Sequence, residues 1–178
     1  MRKMIALLVA AAVMLSAFAV FADEPTIIGT PKCKMCHKAK TGDQFKIWSE
    51  SSHANAFETL KSEASVAIAK EQGLGNPWEE PACLKCHVTQ AFLGAELHAK
   101  TKYVPEEGVG CEACHGAGSA YKSKKVMQDR EAAIAAGLKL EAEANCVQCH
   151  NEESPTYKEF DFEARWAEIA HPVPEPAE

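Results

Sequence analysis

Gly108-Val-Gly-Cys111-Glu-Ala-Cys114-His115-Gly-Ala-Gly118 sets two thiols three residues apart, with a histidine directly after the second. Covalent haem attachment needs that spacing: each sulfur forms a thioether to one vinyl group, and the histidine ligates the iron. The flanking glycines predict backbone passing close to a porphyrin, where a Cβ would intrude. The pattern recurs as Cys33-Lys-Met-Cys36-His37, Cys83-Leu-Lys-Cys86-His87 and Cys146-Val-Gln-Cys149-His150. All eight cysteines fall in the four motifs, which leaves none for a structural disulfide. Zinc ribbons made of Cys-x-x-Cys pairs do not call for a histidine after each pair, and thioredoxin-like chemistry uses one motif in an α/β setting. Four covalently bound haem c groups are therefore expected, attached at Cys33, Cys36, Cys83, Cys86, Cys111, Cys114, Cys146 and Cys149, with His37, His87, His115 and His150 each ligating one iron.

Upstream, Arg2 and Lys3, the apolar run from Ile5 to Phe18, and Val20-Phe21-Ala22 follow the order of a secretory signal peptide. Residues 1–22 are read as that peptide and residues 23–178 as a single tetrahaem domain, soluble and periplasmic. The chain has 178 residues, 47% hydrophobic and 25% charged, which suits one globular domain. Its formal charge is -6; removing Arg2 and Lys3 with a leader that holds no Asp or Glu leaves -8. Such a protein is a poor partner for nucleic acid. Beyond the leader, no apolar stretch is long enough to span a bilayer.

Between the motifs the patterning is helical. Thr41-Gly-Asp43 can cap a helix carrying Phe45 and Trp48, and Ser51-Ser52 a longer one to about Gln72, with Phe57, Leu60, Ala64, Ala67 and Ile68 on one face and Gly73 as its stop. Gly73 to Pro81 reads as a loop. A further helix is expected over Val126–Ala136, and another from Ser154-Pro155 to before His171-Pro172. No stretch alternates long enough for a strand. The expected fold is mainly α, a compact, loop-rich multihaem cytochrome fold with little β structure, built around four stacked c-type haems. Sharing 156 mature residues (178 minus 22) among four macrocycles leaves too little chain for a separate core around each.

Two axial positions on each of four irons would take eight histidines, and the chain has seven. Beyond the motif histidines there are His53, His98 and His171, each a candidate distal ligand. If all three serve, one iron lacks a histidine partner. Chain reach does not pair them, since the eleven residues from His87 to His98 could span to any of several haems at about 3.3 Å per residue. Met127, the one methionine outside a motif in the mature chain, reads as helix packing rather than as a substitute ligand.

Trp48-Ser-Glu-Ser-Ser-His53-Ala-Asn-Ala-Phe57, Pro81-Ala-Cys-Leu-Lys-Cys-His-Val-Thr89, Gly108 to Tyr121 and Cys146 to Pro174 together resemble the tetrahaem cytochrome c-554 family. The resemblance implies three bis-histidine haems and one five-coordinate haem in a compact helical fold, with the haems in stacked pairs. Carried over by position, it implies that His98 completes the first haem (His37), His171 the third (His115) and His53 the fourth (His150), so that the haem of His87 is open. It also implies electron carriage between a redox donor and an acceptor, a hydroxylamine-oxidising enzyme on one side and a membrane quinone-linked cytochrome on the other. The alternative is binding or reduction of nitric oxide or another nitrogen oxide at the open haem, with no further catalytic residue identified. Six-electron nitrite reduction is disfavoured because all four motifs end in His. A filament of fully bis-histidine haems would need an eighth histidine. Lys122, Lys124 and Lys125 read as a solvated helix start, and Trp48, Trp78 and Trp166 as cover for haem edges or core.

Overall fold

Ile27 is fully buried, on an extended segment that threads the middle of the molecule. The computed structural model describes residues 24–94, 101–140 and 143–172; the expected leader, His98 and the tail beyond Pro172 lie outside the described residues. Hydrogen bonds hold the thread on two sides. Thr26 N donates to Ser119 Oγ at 2.8 Å and Ser119 N to Thr26 O at 3.2 Å, while Thr101 Oγ1 donates to Ile28 O at 2.6 Å. Ile27 packs with Phe57, Leu60, Val88 and Tyr103, and Trp78, Leu84 and Leu93 close the edge of this cluster.

Around the thread, the described residues form eleven short helices. They are α1 (Thr30–Lys34), α2 (Gln44–Ser49), α3 (Ala56–Thr59), α4 (Glu63–Glu71), α5 (Pro81–His87), α6 (Thr89–Leu93), α7 (Cys111–His115), α8 (Lys124–Met127), α9 (Arg130–Ala135), α10 (Glu143–Cys146) and α11 (Phe162–Ile169). Single 3₁₀ turns stand at Ala39–Thr41, Ser52–Asn55 and Pro105–Glu107. The longest helix, α4, has nine residues, fewer than the roughly 12–15 at which an isolated helix becomes even marginally stable in water. These helices therefore depend on what they pack against. Among the described residues there is no strand, only an isolated bridge position at Ile27, so the fold is mainly α and loop-rich as the patterning predicts.

Three predicted helices differ from those observed. The long helix over 52–72 is broken into a 3₁₀ turn, α3 and α4. Successive i to i−3 bonds at Leu60, Lys61 and Ser62 tighten the exit from α3, and Ser62 Oγ accepts from Ser65 N to restart the chain as α4. Phe57 and Leu60 are buried as expected, but Ala64 and Ala67 are exposed and Ala69 takes the buried place. The helix over Val126–Ala136 is likewise two, because Asp129 Oδ1 accepts from Ala132 N and starts α9 afresh. The last helix begins at Phe162, not at Ser154, with Asp161 Oδ1 capping Ala164 N at 3.1 Å. Ser154 Oγ instead accepts from Thr156 N within a turn. Asp43 does precede α2, but in a left-handed conformation (φ 56) with no side-chain capping bond. Gly73 ends α4 as predicted, with Leu74 N bonding Ala69 O and Gly73 N bonding Lys70 O.

Candidate haem-binding site

Each Cys-x-x-Cys-His motif is wound into about one helical turn. Residues three and four apart then share a face, so the second cysteine and the histidine stand beside the first cysteine. α7 contains the whole third motif and α5 the whole second. The first and fourth motifs overrun the ends of α1 and α10 but keep the turn. His37 N bonds Cys33 O at 3.0 Å, and His150 N bonds Cys146 O at 2.9 Å. None of the eight cysteines is joined in a disulfide, as thioether formation requires.

The motifs also adjoin one another. The Cys33 and Cys111 thiols hydrogen-bond, as do Cys86 and Cys149, and Cys146 lies close enough to Cys114 to add to the effect of burial, which pushes the Cys114 thiol up to about 11. In space the motif turns therefore run first, third, fourth, second. A Lys85–Glu153 ion pair ties the second motif to the chain just after the fourth.

Backbone carbonyls orient two of the motif histidines. His87 Nδ1 donates to Ala56 O at 2.6 Å and His115 Nδ1 to Lys139 O at 2.9 Å. A carbonyl can only accept, so the proton sits on Nδ1 and the Nε2 lone pair is free for a metal. His37 bonds the Gln44 side chain, and the His150 ring stacks on Phe160 at 4.6 Å.

The remaining described histidines face motif histidines. The ring centres of His53 and His150 are 6.1 Å apart, and those of His115 and His171 are 5.8 Å apart. Two imidazoles bound end-on to opposite sides of one metal, at about 2 Å each, have ring centres roughly 6 Å apart. Burial, with the neighbouring imidazole second, pushes His53 and His171 below their ordinary value, and burial lowers His37 and His150 as well. The neutral form so favoured is the one that binds iron. Among the described residues no second histidine ring contacts that of His87. Its chain neighbours Leu84 and Val88 line an apolar cavity of about 410 Å³ completed by Phe57, Trp78, Ala91 and the amide-bearing Gln90. Four turn-mounted thiol pairs, free Nε2 atoms and an apolar cavity are a donor set that fits haem c.

The glycines around the third motif stand where chain approaches chain. Gly108 has φ +64, and a Cβ there would stand 2.6 Å from His53 O; one on Gly110 would stand 2.5 Å from Thr30 Oγ1. The close approach is of chain to chain, and it seats the turn that carries His53: Val109 N donates to His53 O at 3.0 Å.

Several residues that build the site leave no motif. Glu112, inside the third motif and 2% exposed, accepts from Ile28 N, Gly29 N (2.8 Å) and Gly118 N (2.6 Å), fastening the central thread to α7. Thr89 Oγ1 donates to Gly108 O and accepts from Gly110 N, and Trp48 Nε1 donates to Val109 O at 2.8 Å. A carboxylate flanked by glycines and an alanine was the available sign for Glu112, since small residues let backbone N–H groups approach. Met127 is half-buried at the end of α8, and the cluster of Lys122, Lys124 and Lys125 is exposed around the Ser123-capped start of that helix. Trp78 packs on the core, whereas Trp166 is 41% exposed and stacks on Phe162.

Comparison with known proteins gives two matches. The family described as cytochrome c554 and c-prime matches residues 32–116, which take in the first three motifs. Cytochrome c-554 of Nitrosomonas europaea is 30% identical over 144 residues, covering 72% of this chain and 59% of that protein. No solved structure matches.

Proposed function

Since the chain belongs to the cytochrome c-554 family, we propose that it is a tetrahaem electron carrier, with three irons held by two histidines and one by His87 alone. Membership in the family implies covalently bound haem c, which supplies reversible one-electron exchange between ferric and ferrous iron. The count of four rests on the four turns that present a thiol pair and a histidine. His53 is assigned opposite His150 and His171 opposite His115, and the ring separations of 6.1 and 5.8 Å are the observation that carries this reading. His98 is assigned opposite His37 by the family's ligand order. The run of adjoining attachment turns suits relay of electrons across the molecule, from a redox donor protein to an acceptor. By the same resemblance, the donor is a hydroxylamine-oxidising enzyme and the acceptor leads to quinone.

Residues 1–22 are assigned as a cleaved signal peptide and 23–178 as one periplasmic domain. None of the described helices is long and apolar enough to cross a membrane.

The cavity lined by Leu84 and Val88 favours a second reading, in which a small ligand such as nitric oxide binds there. Its described lining is apolar apart from the Gln90 amide. Binding without turnover is expected. Electron paramagnetic resonance of the oxidised protein tests the ligand assignment. Three low-spin signals and one high-spin signal, with only the latter altered by nitric oxide, are expected; four low-spin signals would end it. Sustained nitric oxide consumption with a chemical reductant would replace the carrier with a reductase.

A further inference from the structure

Residues 162–172, which end in His171, are lightly held. α11 buries none of its residues. Among the described residues, one hydrogen bond joins this segment to any residue before Asp161: Gln44 Nε2 donates to Pro172 O at 3.1 Å. Gln44 is the first residue of α2 and is itself only 7% exposed. Its amide is fully engaged. Nε2 also donates to Thr41 O, while Oε1 accepts from Thr41 Oγ1 at 2.9 Å and the side chain bonds the His37 ring. Beside it, Gly42 (φ +107) lets Pro172 close in, for a Cβ there would lie 3.0 Å from Pro172 Cβ.

A buried amide with donors and acceptors all satisfied has one low-energy placement. What it grips at each end is therefore fixed relative to the other. We propose that Gln44 is a positioning residue that holds His171 opposite His115 while orienting His37, so that ligation at the third motif depends on a side chain next to the first. This rests on the reading that His171 ligates the third haem. Without the Nε2 donor, Pro172 O loses its partner, residues 162–172 lose their tie, and His171 can swing away from its position 5.8 Å from His115.

Gln44→Met fills a similar volume with no hydrogen-bonding group. Gln44→Glu keeps an oxygen for Thr41 Oγ1 and the His37 ring but, as a carboxylate, offers no donor to Pro172 O; it carries the test should the Met variant fail to fold. Carbon monoxide uptake by the reduced holoprotein and the resonance spectrum of the oxidised form are compared with wild type and His171→Ala. His171→Ala is expected to double the carbon monoxide bound per chain relative to wild type. Both Gln44 variants are expected to move toward that value and to gain a high-spin signal, with the His53–His150 low-spin signal retained. Gln44 variants that match wild type while His171→Ala opens would overturn the positioning role alone. If His171→Ala also matches wild type, the ligand reading fails and the positioning role with it. Loss of low-spin character at every haem would reduce Gln44 to a general fold residue and overturn the proposal as well.

Discussion

Glu112→Ala removes the acceptor that three backbone N–H groups share. Ile28 N, Gly29 N and Gly118 N all end on its carboxylate, which is 2% exposed, and the two sides they join are 83 to 84 residues apart for Ile28 and Gly29 and six apart for Gly118. A buried donor left without a partner costs about 1–3 kcal/mol, so three come to about 3–9 kcal/mol, against a total stability of about 5–15 kcal/mol for a typical protein. The cost falls on a particular place, since the central thread carries Ile27 and leads straight into the first motif. Native-state hydrogen exchange of the holoprotein is the assay of choice because it reads the three amides individually. A loss of about 3 kcal/mol speeds their exchange by roughly a hundredfold, at tenfold per 1.4 kcal/mol, with Ile28, Gly29 and Gly118 affected more than the amides of α4. Glu112→Gln keeps one acceptor oxygen but turns its NH₂ toward a donor, so it should fall between wild type and Ala. Exchange at the three amides within a factor of about five of wild type, equivalent to about 1 kcal/mol, would refute the view that this carboxylate fastens the thread to α7.

Gly108→Ala places a methyl 2.6 Å from His53 O at a φ of +64; a loss of about 1–3 kcal/mol of stability is expected, with a shifted low-spin signal for the haem to which His53 is assigned, and an unchanged signal would count against the seating of His53 by this turn. His53→Ala should convert that haem to high spin and add a second carbon monoxide site, whereas wild-type uptake in a correctly matured variant would remove His53 from the ligand set. Burial pushes the Glu107 carboxyl up, and its Oε1 has no partner. Its folded value thus lies above the unfolded one, and its contribution to stability is present below the unfolded value and lost as pH rises through the folded value. Glu107→Gln should therefore gain thermal stability relative to wild type as pH rises above the ordinary glutamate value of about 4.3; a difference that does not change with pH would contradict this.

What the sequence made legible follows from how rigidly chemistry fixes spacing. Two vinyl groups and one iron fix Cys-x-x-Cys-His, so all four motif turns could be read. Counting seven histidines against eight axial positions pointed to an open iron, although pairing the histidines needed the family resemblance. His53 and His150 have neighbouring rings, as do His115 and His171, and His98 lies outside the described residues. Helix breaks at Ser62 and Asp129 escaped the periodicity because a capping Ser or Asp inside an apolar repeat looks like a tolerated polar residue until its side chain is seen on a backbone N–H. Gln44 and Glu112 escaped for a different reason. Their partners are backbone groups up to 128 residues away, and backbone atoms leave no trace in residue identity. Gly108 and Gly110 also approach the chain around His53 and Thr30, which no local pattern could reveal.

Intact-mass measurement of the protein after export through a competent maturation system tests the tetrahaem assignment most directly. The expected result is the chain without residues 1–22 plus four haem groups, with all eight thiols consumed. A bare chain, or one carrying fewer haems with cysteines free or joined as disulfides, would contradict it.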